Sequence, residues 1–150
     1  STLVFGVTEP APLPMRAAAN SRAGALGWAR GAKVTASRSA MRTGISRIVD
    51  DVMTAHLHNP IVKTRFENIK DLDRAKRMAR EFFCAGAGGP EPYTGKDMLA
   101  AHKGMNISEQ EYLAAMDDIV GALGKNGIDD ATRGEVIAIL YSLKGHIIRV

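Results

Sequence analysis

Apolar side chains recur at helical spacing over four segments of the chain, and polar or glycine-rich stretches separate them. The first segment starts at Ile45 and stops at Asn59-Pro60, because the residue before a proline avoids the helical conformation. The others span about 71–84, about 109–124, and from Asp129 or Asp130 to about 148. The pattern therefore predicts four main helices and no strand of convincing length.

Capping residues and apolar faces sharpen this prediction. Ser108 with Glu111 forms a capping box, and Thr94 with Asp97 resembles an N-cap for a short helix over 95–103 that Gly104 stops. The third and fourth main helices each have a predicted buried face. These faces consist of Tyr112, Leu113, Met116, Ile119, Val120 and Leu123, and of Val136, Ile137, Leu140, Leu143 and Ile147.

Residues 1–44 carry no sustained hydrophobic period. The stretch 15–43 is rich in Ala, Ser, Gly and Arg and contains no acidic residue, which is the composition of an organelle transit peptide. We therefore expect residues 1–44 to be a basic extended arm or a residual targeting segment, and residues 45–150 to be the folded domain. A targeting segment would direct the protein to the mitochondrion or, alternatively, to a plastid. A mature arm would lie on a partner.

Composition favours an α protein, since 45% of residues are apolar and only 5% are aromatic. Residues 1–49 hold seven of the 20 basic side chains and one of the 16 acids, so the basic character belongs to the arm. The arm could contact other protein subunits, RNA or acidic lipid. The charge of the domain, by contrast, gives no reason to expect that it binds nucleic acid. The single cysteine excludes an intrachain disulfide, and no apolar run reaches the roughly 18 residues of a membrane span.

The stretch 82–108 contains the most specific motif. Two phenylalanines run into a glycine-rich loop, and a short helix then ends in Ala-His before a glycine and an Ile-Ser cap: FFCAGAGGPEPYTGKDMLAAHKGMNIS. With Asp50-Asp51 upstream, these residues resemble the truncated globins, most closely their first group, over residues 48–150. The resemblance implies an all-α, truncated globin-like helical sandwich that binds haem, with His102 as the proximal ligand of the iron.

The resemblance also implies an apolar cleft around His102 and a diatomic ligand on the haem iron. We expect seven further residues to line that cleft: Met53, Phe66, Met78, Ala79, Phe83, Met98 and Met116.

The distal side departs from the family pattern. Val52-Met53 stands where the family commonly has Phe-Tyr, and Ala75 and Ala79 occupy positions that are often Leu or Gln. These changes remove the usual hydrogen-bond donors, so oxygen should be held poorly and oxygen storage or nitric-oxide dioxygenation is disfavoured. Met53 could be a second axial ligand or simply a core residue.

Other chemistry is weakly supported. Cys84 has no histidine near it in sequence, the glycine-rich loop lacks a phosphate-binding motif, and His56 and His58 are expected to be solvated at a helix end. No catalytic residue is predicted. Two hypotheses remain: a haem-binding globin built into an organellar assembly, and a haem-free globin-fold accessory subunit of a mitochondrial or plastid complex. The presence of a Soret band discriminates between them.

Overall fold

Six helices form the domain in the computed structural model, which describes residues 37–87 and 91–150, with side chains from residue 42 onward. Their bounds are α1 Ser37–His58, α2 Lys63–Glu67, α3 Leu72–Gly86, α4 Met98–His102, α5 Glu109–Lys125 and α6 Asp130–Leu143, followed by a 3₁₀ turn at Lys144–His146. The extended pairing within the described residues is one isolated parallel bridge between Ile107 and Ile148. The predicted all-α class is thus confirmed.

Helix α1 is central, since it packs against α2, α3 and α5, and α5 packs in turn on α6. The main hydrophobic cluster joins these helices through Ile48 and Val52 of α1, Leu123 of α5, and Val136 and Leu140 of α6. A second cluster connects α3 with the C-terminal segment. Its members are Tyr93, Ile139, Leu143 and Ile147, with Met78, Phe82, Ala85, Met98, Ile107 and Tyr112 against them.

Side-chain caps begin four of the helices. Asp71, Asp97 and Asp129 accept from backbone N–H groups in the first turns of α3, α4 and α6, and Ser108 forms the expected capping box with Glu111. The predicted cap at Thr94 is wrong. Its N–H and hydroxyl both donate to the Glu81 carboxylate, at 2.9 and 2.7 Å, and so tie the loop after α3 back onto α3.

Three further predictions need correction. Helix α1 begins at Ser37, so residues 37–44 are helical rather than extended; residues 1–36, where the remaining arm was predicted, lie outside the described residues. Leu113 and Ile137 are 59% and 40% exposed. Each lies one residue, or about 100°, around its helix from the stripe that faces the core. The hydrophobic pattern of the sequence does not show where that stripe ends.

None of the described helices is both long and apolar enough to span a bilayer.

Candidate functional site

Two cavities of about 470 and 320 Å³ adjoin each other; α3, α4, α5 and α6 line both, and α1 and α2 line the smaller one as well. Together they form what we call the cleft. Their combined walls are mostly aliphatic and aromatic, and each volume is in the range of small-molecule pockets. Six residues line both cavities: Ile69, Phe82, Met98, His102, Ile119 and Leu140.

Helix α3 supplies one wall of the larger cavity. Ala75, Met78, Ala79 and Phe82 recur three or four residues apart, so they share one face of the helix. The Phe82 ring meets Tyr93 edge to face at 5.8 Å between centroids. Arg74 and Lys96 are exposed and bring positive charge to this cavity. The result is an apolar wall with a basic edge.

Six of the eight residues predicted for the site line the cleft. Met78, Ala79 and Phe83 line the larger cavity, Phe66 lines the smaller one, and Met98 and His102 line both. The other two are placed elsewhere.

Met53 is buried in α1, with 6% of its surface exposed, and does not line either cavity. Met116 packs against the main hydrophobic cluster. Both follow helical stripes, but Met53 is buried in the core, and Met116 faces the cluster that joins α1, α5 and α6 instead of the cleft.

His102 is the last residue of α4, and it is half-buried. Its Nδ1 lies 2.7 Å from the carbonyl oxygen of Met98, one turn earlier in the helix. Because a carbonyl can only accept, Nδ1 carries a hydrogen, and in the neutral form of the ring Nε2 keeps its lone pair. Histidines that bind metals are usually oriented in this way, with the second ring nitrogen donating to an oxygen. His102 therefore lies on the cleft with a ring orientation that is common among metal-binding histidines.

His56 is buried, with 5% of its surface exposed, so the expectation that it is solvated is wrong. It lines the smaller cavity, its Nδ1 lies 2.8 Å from Asp118 Oδ2, and its ring stacks on Phe66 at 4.2 Å. The sequence did carry a signal, since His56 continues the stripe of Ile48 and Val52 at four-residue spacing.

Burial lowers the pKa of His56, and the hydrogen bond to Asp118 opposes this only in part. The lowered pKa favours the neutral imidazole. His58, by contrast, is exposed as expected, and its Nδ1 bonds to the Thr54 carbonyl of its own helix.

The tyrosines of the cleft have their hydroxyls committed elsewhere. Tyr93 donates to the Lys96 carbonyl at 2.7 Å, and Tyr112 donates to the Leu140 carbonyl. Burial raises the pKa of Tyr112 to about 12, so its hydroxyl stays protonated. Neither hydroxyl hydrogen is available to a molecule bound in the cleft.

Arg65 and Glu111 form an ion pair at the edge of the smaller cavity. The Arg65 guanidinium donates to the two Glu111 oxygens at 2.9 and 3.2 Å and to the Met105 carbonyl at 2.8 Å. With the backbone N–H of Ser108, this pair lowers the pKa of Glu111 from 4.5 to about 2. The pair links α2 to the start of α5 and leaves the guanidinium little capacity for a ligand.

Replacing Arg65 with Gln should lower the free energy of unfolding by about 1 kcal/mol at neutral pH, because a bidentate pair to a half-buried carboxylate is lost. Glu111 has a depressed pKa in the folded state, so its stabilisation is complete above pH 4.5 and is lost as the pH falls toward 2. Urea unfolding of both proteins at neutral and acidic pH should show their difference shrinking in acid. Lys63→Gln removes an exposed pair with Glu67 and is the control, with almost no effect expected. A difference that does not depend on pH would contradict this assignment.

Comparisons with known proteins agree with this architecture. A family model described as "Bacterial-like globin" matches residues 41–149. A Group 1 truncated hemoglobin of Tetrahymena pyriformis is 33% identical over 79 residues, which cover 53% of this chain and 64% of that protein. A Group 1 truncated hemoglobin of Mycolicibacterium paratuberculosis is 31% identical over 77 residues, which cover 51% and 57%. The chain thus spans less than two thirds of the length of these curated relatives.

A solved structure is similar over a longer stretch. The truncated hemoglobin of Tetrahymena pyriformis in its Fe(III) form superposes with a TM-score of 0.67 at 26% identity, covering 71% of this chain and 90% of that one. The fold, the family model and the sequence relatives all indicate the same group of proteins. This chain belongs to the bacterial-like, truncated globin family.

Proposed function

We propose that this chain is a haem-binding globin in which Nε2 of His102 binds the iron. The observation that carries the proposal is the hydrogen bond from His102 Nδ1 to the Met98 carbonyl, on a residue that lines both cavities of the cleft. Haem, when bound, supplies an iron centre that can take a diatomic ligand or exchange an electron. The chain's own contribution is to hold, orient and shield that group.

The residues of the cleft suit a porphyrin. Its faces are apolar, and the α3 wall of Ala75, Met78 and Phe82 together with Ile119 and Leu140 offers matching apolar surface. Its carboxylates are anionic, and Arg74 and Lys96 supply exposed positive charge on the same cavity. The chemistry of the donor set and of the walls therefore fits haem.

Polar stabilisation of a bound diatomic ligand is weak in this cleft. Ala75 and Ala79 have no donor, and the hydroxyl of Tyr93 is committed to the backbone. We infer that oxygen, if it binds, dissociates quickly, and that ligand binding here does not depend on hydrogen bonds from the surrounding side chains.

Introducing a side-chain amide on α3 should strengthen the polar stabilisation of bound oxygen. In ferrous, oxygen-loaded protein, Ala79→Gln should slow oxygen dissociation by about tenfold, since a new hydrogen bond is worth roughly 1–1.5 kcal/mol. Stopped-flow displacement of oxygen by carbon monoxide measures the rate. Ala79→Leu adds similar bulk without a donor and is the control. An equal rate in the two variants would show that bulk, rather than hydrogen bonding, sets the dissociation.

A second candidate function is a haem-free accessory subunit in an organellar complex, reached through the basic segment 1–44. The observation that favours it is that both tyrosine hydroxyls of the cleft donate to backbone carbonyls. Neither hydroxyl can therefore stabilise a ligand, as a ligand-binding site would need. Titrating the purified chain with hemin decides between the two. A saturable Soret band at one haem per chain supports the haem globin, and its absence supports the accessory subunit.

A further inference from the structure

Two histidines line the smaller cavity of the cleft, and the same ring nitrogen is hydrogen-bonded in both. In each, Nδ1 is taken by an oxygen: the Asp118 carboxylate for His56 and the Met98 carbonyl for His102. For both rings, Nε2 has no hydrogen-bond partner within the part of the chain that the structure describes. The cavity thus has a second imidazole nitrogen in addition to the expected proximal one.

The proton arrangement of His56 makes that nitrogen a base. An ionised carboxylate can only accept, so the hydrogen of the neutral ring lies on Nδ1 and points to Asp118. Nε2 then carries a lone pair in a mostly apolar cavity. It cannot donate to a bound oxygen molecule, but it can bind a metal.

The His56 ring is held by several contacts. Asn59 Nδ2 lies 3.1 Å from both Asp118 oxygens and so fixes the carboxylate that fixes the imidazole. Phe66 stacks on the ring with an interplanar angle of 17°. A carboxylate behind a histidine raises its basicity and sets its orientation, as it does at many metal sites.

The other polar side chains of this cavity are committed. Arg65 and Glu111 bind each other, and the Tyr112 hydroxyl donates to Leu140. Met53, the residue considered from the sequence as a second axial ligand, does not line the cavity.

We propose that His56 would supply a second imidazole ligand to the haem iron through Nε2, in addition to His102. This inference rests on the proposed haem binding. With both imidazoles bound, the iron would have no free position, so a diatomic ligand would have to displace the His56 nitrogen. Such a closed site would suit electron exchange better than oxygen storage.

The test is the spin state of the ferric, hemin-reconstituted full chain, measured by absorption and electron paramagnetic resonance. Two imidazole ligands give a low-spin, six-coordinate spectrum in the unaltered protein. His56→Leu should keep the Soret band but become high-spin, and in the ferrous form it should bind carbon monoxide at least about tenfold faster. His58→Leu, which removes an exposed histidine of the same helix, should stay low-spin.

A second variant covers the case in which His56→Leu does not fold, as judged by circular dichroism. Asp118→Asn keeps the side-chain shape and weakens the base, so it should shift part of the iron to high spin. Loss of such a partner commonly weakens metal binding by about 10–100-fold. An unaltered protein that is high-spin, or low-spin iron persisting in a folded His56→Leu variant, overturns this inference alone. Absence of a Soret band in every protein overturns the proposed function and the inference with it.

Discussion

Replacing His102 with Ala should abolish the Soret band of the hemin-reconstituted protein or weaken haem retention by more than about tenfold, equivalent to at least 1.4 kcal/mol. The imidazole is held by the Met98 carbonyl at the point where both cavities meet, and alanine leaves no ligand there. Retention is measured by the transfer of haem to an excess of a competing apo-globin, followed at the Soret wavelength. The ferric spectrum of any residual complex reports on the loss of one imidazole.

His58→Ala is the matched control for this substitution. His58 is also the last residue of a helix, and its Nδ1 also bonds to a carbonyl one turn earlier, that of Thr54. It is exposed, however, and does not line the cleft. The control should retain haem as the unaltered protein does. A His102→Ala variant with an unchanged spectrum would place the iron ligand elsewhere and remove the main support for the proposed function.

Leu123→Ala should lower the free energy of unfolding by about 2–5 kcal/mol, the cost of deleting a fully buried leucine and leaving a cavity. Leu123 has no exposed surface and belongs to the cluster that joins α1, α5 and α6. Urea unfolding of the haem-free chain, followed by circular dichroism, measures the loss. Because domains of this size are stable by only about 5–15 kcal/mol, this loss is a large fraction of the total stability.

Leu113→Ala is the control, since it makes the same substitution in the same helix at a side chain that is 59% exposed. Its effect should stay within about 0.5 kcal/mol, the usual range at surface positions. Equal losses at the two positions would mean that α5 presents a different face to the core. The pair therefore tests the orientation of the helix that carries Asp118 and Ile119 toward the site.

Haem binding and the Leu123 cluster should be coupled. Leu140 belongs both to that cluster and to the lining of the two cavities, so a change in core packing alters the wall of the cleft directly. A ligand that binds the folded state alone raises its stability by mass action. The stability loss in Leu123→Ala is therefore best measured without haem, where it reflects core contacts alone.

The sequence by itself determined the elements whose signals are local. Helical periodicity located the main helices, and the capping box of Ser108 with Glu111 set the start of α5 to the residue. His102 was predicted as the iron ligand because its motif combines a glycine-rich loop, a short helix and a histidine at fixed offsets along the chain. Such features depend on residues close together along the chain, so they can be recognised without knowledge of the tertiary contacts.

The tertiary structure decided which stripe faces which neighbour. Leu113 and Ile137 lie about one residue around the helix from the core, and Met53 and Met116 face the core rather than the cleft. His56 is the clearest case, since its partner Asp118 lies 62 residues away in sequence. A histidine at a helix end is ordinarily solvated. The packing of α1 against α5 supplies the carboxylate, and Phe66 of α2 supplies an apolar wall; no local pattern encodes these contacts.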